Sequence, residues 1–189
     1  MIAIENTRLF EAEQQRSREL AESLEQQTVT SEVLRVISSS PGDLEPVFKI
    51  MLENAVRICG AKFGNIYRWE GDALHVVAAH NTPPAFAEFR RRSPLFRPHP
   101  TATGSMLVTK APVHIEDLTA TPAYIERSSA DTIAAVELGG ARTALSVPML
   151  REDEGVGAFV LFRQEVRPFS DKEIELKRIP IILKHSLHA

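Results

Sequence analysis

The sequence predicts an α+β domain built around a largely antiparallel sheet of about five strands. Strand-like segments cluster in two pairs, at residues 63–79 and 143–162. Helical patterns precede, separate and follow these pairs, and 43% hydrophobic residues in a chain of 189 suffice for a real core. We expect terminal helices on one face of the sheet and a helical and irregular cap on the other.

The first domain helix should begin after Asp43, which can cap it, and end at Gly60. Its apolar face is predicted from helical spacing and comprises Leu44, Val47, Phe48, Met51, Ala55 and Ile58. Strands at 63–69 and 74–79 flank Glu-Gly-Asp at 70–72, which is typical of a hairpin with a short turn.

The middle of the chain is expected to form the cap. Residues 80–100 hold five prolines and read mostly as loop, with a short helix at 85–91. Another helical turn or two at 104–110, a short strand at 113–115 and a mostly helical stretch at 124–138 follow.

Two apolar strands, 143–150 and 156–162, complete the predicted sheet. Pro148 indicates a place where no ladder donor is needed, an edge or a bulge, and Gly157 indicates a close approach to a neighbouring backbone. Ser170 and Glu173 form a capping box that opens the last helix.

Residues 2–38 lack Pro and Gly and predict one long helix with a weak, partly polar coiled-coil seam. We expect a homodimer through the leucines of this seam and the last helix. These leucines are Leu9, Leu20, Leu24 and Leu34. The alternative interpretation is a solvated spacer helix.

Composition argues against several classes of protein. The formal net charge is -3, from 22 basic and 25 acidic residues, so no basic excess favours nucleic acid. No run reaches the roughly 18 apolar residues that span a bilayer, so we expect no membrane insertion. A single cysteine, Cys59, excludes an internal disulfide and is expected to be a buried hydrophobe in a cytoplasmic protein.

Several short motifs, in order, resemble the GAF domain, a small-molecule-binding sensory module. They are Gly104, the segment Val113 to Asp117, Ser146-Val147-Pro148, Gly155 with Gly157, and Phe169-Ser170-Asp171. The resemblance implies a GAF-like (profilin-like) fold in a bacterial multi-domain sensor of the histidine kinase or nucleotide cyclase type. It divides the chain into a signalling helix at 1–40, a sensory domain at 41–179 and a tail at 180–189.

The chain departs from several GAF subfamilies. An Asn-Lys pair is missing and Phe169 is followed by Glu173-Ile174, which disfavours cyclic nucleotides. Cys59 lies on the first domain helix, which disfavours a covalently attached bilin. The methionine sulfoxide reductases of this fold use several cysteines, so a redox enzyme of that kind is the less favoured hypothesis.

The ends of the chain also resemble such sensors. Residues 2–10 read like the phrase that follows a GAF unit in a tandem array, and Pro180 is expected to shorten or kink the output helix. We therefore expect a module cut from, or truncated within, a larger relay.

The candidate ligand-binding residues are aromatic, basic and polar groups expected at the cap. They are Phe89, Arg92, Phe96, Arg97, His99, His114, Tyr124 and Ser146. Arginines at 90–92 with Arg97 and His99 can hold an anion, although a solvated basic face has the same pattern.

No metal site or catalytic signature is predicted. Any cofactor is left unknown, and His80, His99 and His114 leave a haem ligand open. Two non-catalytic hypotheses remain. The first is a dimeric sensory module that binds an unidentified small molecule, and the second is a dimerisation scaffold with an unoccupied pocket.

Overall fold

A computed structural model describes Arg16 and residues 45–70, 73–96, 102–151 and 154–174 of the chain. Contacts divide the chain into two units, Met1–Pro41 and Gly42–Ala189. The predicted coiled-coil helix and its leucines therefore lie outside the described residues, as does the last helix beyond Ile174. Among the described residues, no helix combines the length and the apolar character needed to cross a bilayer.

The second unit alternates helices with strands in the order that the sequence predicts. The helices are α1 (Glu45–Ile58), α2 (Pro84–Arg92), α3 (Ala102–Thr109), α4 (Pro122–Ile125), α5 (Ala130–Glu137) and α6 (Asp171–Ile174), with a 3-10 turn at Leu118–Ala120. The strands are β1 (Phe63–Glu70), β2 (Ala73–His80), β3 (Leu95–Phe96), β4 (Val113–Ile115), β5 (Thr143–Arg151) and β6 (Glu154–Arg163).

The strands form one antiparallel sheet in the order β3-β2-β1-β6-β5-β4. This confirms the predicted α+β fold, with six strands in place of about five. The additional strand, β3, has two residues and pairs Leu95 with Leu74 and Phe96 with Ala73. It lies in a stretch that the sequence predicted as loop, because two residues are too few for a periodic pattern.

Both faces of the sheet are covered. Side chains alternate along β1, so Phe63 and Tyr67 belong to the core beneath the cap. Gly64 faces the opposite side, where a Cβ at this position would meet Leu52 of α1 at 3.1 Å. The sheet is thus the middle layer between α1 and the cap.

Local chemistry sets several element boundaries. Gly60 takes a positive φ of 51° just beyond α1, where it ends the helix as predicted. Glu173 Oε2 accepts from the Ser170 backbone N–H at 2.7 Å, and Ser170 Oγ accepts from the Glu173 N–H at 3.4 Å. This confirms the capping box at the start of α6.

Two details differ from the sequence prediction. Ile58 is 44% exposed rather than part of the buried face of α1, because it lies at the C-terminal end of the helix. The stretch at 124–138 is two helices, since Arg127 adopts a φ of +52° and Ser129 caps α5 by accepting from the Thr132 N–H at 3.2 Å.

Candidate functional site

A cavity of about 60 Å³ lies between the sheet and the cap. Strands β1, β5 and β6 contribute to its floor, and helices α2 and α5 contribute to its wall. Its lining is mostly apolar with a few polar groups. The lining residues are Tyr67, Phe86, Arg90, Leu95, Ile115, Leu118, Asp131, Thr132, Ala135, Ala144, Ser146, Val160 and Phe162.

An ion pair joins the two helices of the cavity wall. Arg90 of α2 donates through Nη2 to Oδ1 of Asp131 in the first turn of α5. The Arg90 side chain is 3% exposed and that of Asp131 is 22% exposed. A buried guanidinium needs a counterion, and the N-terminus of α5 favours the charged form of Asp131.

Aromatic rings hold the Arg90 guanidinium in place. Its Cζ lies 4.5 Å from the ring centroid of Phe89 and 5.8 Å from that of Phe86. The Nε of Arg90 is buried and has no hydrogen-bond partner among the residues that the structure describes. Arg90, which lines the cavity, therefore keeps one N–H donor of a cationic group without an acceptor among these residues.

A hydrogen-bonded chain of neutral groups extends from the same wall into the sheet. Asn65 Nδ2 donates to the Tyr67 hydroxyl at 3.3 Å, and Asn65 Oδ1 accepts from Thr82 Oγ1 at 2.8 Å. Burial raises the pKa of Tyr67, and the nearby Arg90 and the Asn65 hydrogen bond oppose the increase. Tyr67 is therefore a neutral phenol at pH 7.

An aromatic cluster supports the floor of the cavity. Phe63 stacks on Phe162 with ring centroids 4.8 Å apart, and Phe86 meets Phe162 edge-on at 5.8 Å. Such pairs stabilise beyond their buried area and fix ring orientation. These contacts fix the rings beneath a floor that is mostly apolar.

The structure brings one of the predicted ligand-binding residues to the cavity. Ser146 of β5 lines it, and its side chain is buried. Phe89 packs at the edge of the core as the ring partner of Arg90. Tyr124 is half-buried on α4, outside the lining.

The remaining predicted residues lie away from the cavity or outside the residues that the structure describes. Arg92 is 70% exposed and its Nε lies 2.5 Å from Glu88 Oε1. His114 of β4 accepts from the Phe169 N–H through Nε2 at 3.1 Å, away from the cavity. The Phe96 side chain, Arg97 and His99 are outside the described residues.

Sequence reasoning included Arg90 only in the basic group at 90–92, from which it chose Arg92 as a site residue, and it did not name Asp131 or Tyr67. The signal for Arg90 was its spacing of four from Phe86, which puts both on one helix face, whereas Arg92 lies on the opposite side. No local signal marks Asp131 as its partner, because the two residues are 41 positions apart.

A second polar cluster connects the sheet to the last helix. The Arg163 side chain is 2% exposed and donates to the Cys59, Arg167 and Pro168 carbonyls and to Glu173 Oε1. Its Cζ lies 3.9 Å over the Phe169 ring. Cys59 follows α1, Arg167 and Pro168 lie in the connection to α6, and Glu173 is in α6, so the cluster ties these segments to the end of β6.

The single cysteine of the chain is a buried structural residue. Cys59 is buried, and burial, with a contribution from Glu173, raises the pKa of its thiol to about 12. Within the described ranges, no group of three or more His, Cys, Asp or Glu side chains is placed to hold a metal ion.

The GAF domain profile matches residues 43–178, and the chain belongs to the GAF domain family. This confirms the resemblance on which the sensory interpretation depends. No curated protein sequence matches the chain.

Solved structures share the fold at low sequence identity. The GAF domain of an Acinetobacter phosphoenolpyruvate-protein phosphotransferase is 17% identical with a TM-score of 0.63, covering 86% of this chain and 92% of that one. A domain of a putative two-component sensor histidine kinase from Sinorhizobium meliloti is 14% identical with a TM-score of 0.59, covering 78% and 94%. Free methionine-R-sulfoxide reductase from Neisseria meningitidis is 14% identical with a TM-score of 0.62, covering 84% and 85%.

Proposed function

We propose that this GAF domain is a non-catalytic sensory module that binds a small molecule in the cavity between sheet and cap. The observation that carries the proposal is the composition of that cavity, an apolar floor with an oriented guanidinium in its wall. Concave, mostly apolar sites with a few fixed polar groups are typical of small-ligand binding.

The state of the cysteine supports a non-catalytic role. A thiol with a pKa of about 12 is protonated at pH 7, and Cys59 is fully buried. Thiol catalysis needs an accessible thiolate. We therefore expect no turnover of free methionine sulfoxide, although a reductase of that substrate has a similar fold.

The contacts of the cap suggest how binding is transmitted. A ligand in the cavity contacts α2 and α5 through Arg90 and Asp131, and any preference for one cap arrangement shifts the population toward it. We propose that this shift reaches a helical homodimer through the helices that flank the domain. Similarity to a sensor histidine kinase domain supports this role.

A thermal-shift screen of small metabolites against the full chain tests the proposal. A ligand that binds the folded state raises the melting temperature in a saturable way. The variant Ala135→Leu fills the cavity and should abolish the shift, whereas Ala130→Leu, at an exposed position of the same helix, should retain it. A screen without a saturable hit would instead favour the scaffold hypothesis.

A further inference from the structure

The wall of the cavity combines a buried cation with a partly exposed counterion. Arg90 is 5% exposed as a residue, and its anionic partner among the described residues is Asp131, whose side chain is 22% exposed. The two groups belong to different helices, α2 and α5. Any ligand that hydrogen-bonds to the Arg90 guanidinium must therefore compete with Asp131.

The ion pair leaves the buried Nε–H of the guanidinium without an acceptor among the described residues. A carboxylate that binds side-on uses Nε and Nη2, and of these Nε has no partner among the described residues while Nη2 contacts Asp131. An incoming carboxylate thus gains a free donor at Nε and competes with Asp131 at Nη2.

Charge balance permits this exchange. A carboxylate ligand keeps the buried guanidinium paired, which a neutral ligand does not. Asp131, once released, remains in the first turn of α5 and partly in water, where its negative charge is stabilised.

The volume and lining of the cavity limit the size and polarity of the rest of the ligand. Its volume of about 60 Å³ accommodates about four to six non-hydrogen atoms, at roughly 10–15 Å³ for each water-sized group. Much of the lining is aliphatic and aromatic, and this part includes Leu118, Ala135, Val160 and Phe162. This surface favours a short hydrocarbon chain over an inorganic anion.

We infer, on the basis of the proposed function, that the ligand is a short-chain aliphatic carboxylate that displaces Asp131 from Arg90. Exchange at Arg90 opens the ion pair between α2 and α5. Ligand binding and the arrangement of the cap are thereby coupled through a single guanidinium.

Calorimetric titration of the full chain with propionate, propionamide and nitrate tests this assignment. Propionate should bind saturably and about tenfold or more tightly than propionamide, because only the carboxylate supplies a counterion when Asp131 leaves the buried guanidinium. Propionamide or nitrate binding as tightly as propionate would overturn the carboxylate assignment. These comparisons use the wild-type chain, so they do not depend on any variant folding.

Two variants separate exchange from simple binding. Asp131→Asn removes the internal competitor and should tighten propionate binding several-fold, with a larger propionate-induced rise in melting temperature than in the wild type. Asp117→Asn breaks the ion pair with Arg142, outside the cavity, and should leave the affinity unchanged. Folded Asp131→Asn protein with unchanged or weaker affinity contradicts displacement.

Failure of this inference is distinguishable from failure of the proposed function. A neutral compound that binds in the cavity while propionate does not would overturn only the ligand class. The absence of binding by propionate, propionamide and every screened compound would overturn both.

Discussion

Gly157 illustrates how single residues fix the geometry of the site. It lies in β6, where it pairs with Arg68 of β1 and Met149 of β5. A Cβ at this position would overlap the Tyr67 carbonyl oxygen and the Met149 side chain. Only glycine lets β6 lie this close to the strand that carries the Tyr67 hydroxyl.

We predict that Gly157→Ala lowers the free energy of unfolding by about 1–3 kcal/mol, because overpacking moves backbone and side chains. Gly155→Ala is the matched control in the same strand, since no atom lies within 4 Å of its added Cβ. It should change stability by less than about 0.5 kcal/mol. Urea unfolding measures the free energy of unfolding of both variants. Equal stability of the two would contradict the close packing at Gly157.

Residue-level signals in the sequence predicted the fold better than the site. Pro148 was assigned to an edge or bulge, and β5 pairs with β4 only up to Ser146, with a bulge between Met149 and Leu150. Such signals are local, because proline and glycine act through their own backbone. The partnership of Arg90 with Asp131 depends on how helices pack, which no local signal encodes.

At the scale of elements, His114 joins β4 to the segment that leads from β6 into α6. His114 Nε2 accepts from the Phe169 N–H, and the His114 ring packs edge-on against Phe169 at 5.7 Å. Burial lowers the pKa of His114, with Arg163 adding to the effect and Glu116 opposing it. The neutral imidazole is therefore the form that joins these elements.

This contact makes stability depend on pH. The unfolded chain binds the His114 proton more tightly, with a pKa near about 6.5, so the contribution is present above that pH and is lost as pH falls below it. We predict that the wild type loses more free energy of unfolding between pH 7.5 and 5.5 than His114→Gln. The glutamine keeps a polar acceptor in reach of the Phe169 N–H but does not titrate.

His75 and His80 are present in both proteins, so the difference between them isolates His114. Urea unfolding at the two pH values measures it. An identical pH dependence in the two proteins would show that His114 does not titrate in this window.

The elements also show where sequence patterns are sufficient. Helical spacing predicted α1, a short helix was expected at 85–91 where α2 lies, and the capping box predicted the start of α6. The break between α4 and α5 was missed because it depends on Arg127 in the left-handed region, a conformation that arginine rarely adopts. The two-residue β3 was missed because it exists only through pairing with β2.

At the scale of the whole molecule, the sensory proposal requires two chains. The predicted seam, which lies outside the described residues, is only partly apolar, so its dimer should be sensitive to charge. We predict a dimer for the full chain and a monomer for the double variant Leu20→Glu with Leu24→Glu. Analytical ultracentrifugation measures the mass of each.

The control for this prediction is Glu22→Gln, on the opposite side of the predicted helix, which should remain dimeric. A wild-type chain that sediments as a monomer at high concentration would contradict transmission through a helical dimer. Ligand binding in the cavity is a separate property and would be unaffected by that result.

Amide NMR of the full chain tests whether the ligand binds in the cavity beneath the cap, because it reports how each backbone N–H responds to binding. On titration with the best compound from the thermal-shift screen, we predict the largest shifts at residues that line the cavity, among them Leu118, Thr132, Ala135, Ala144 and Val160. The largest shifts at α1, on the opposite face of the sheet, would contradict binding in the cavity.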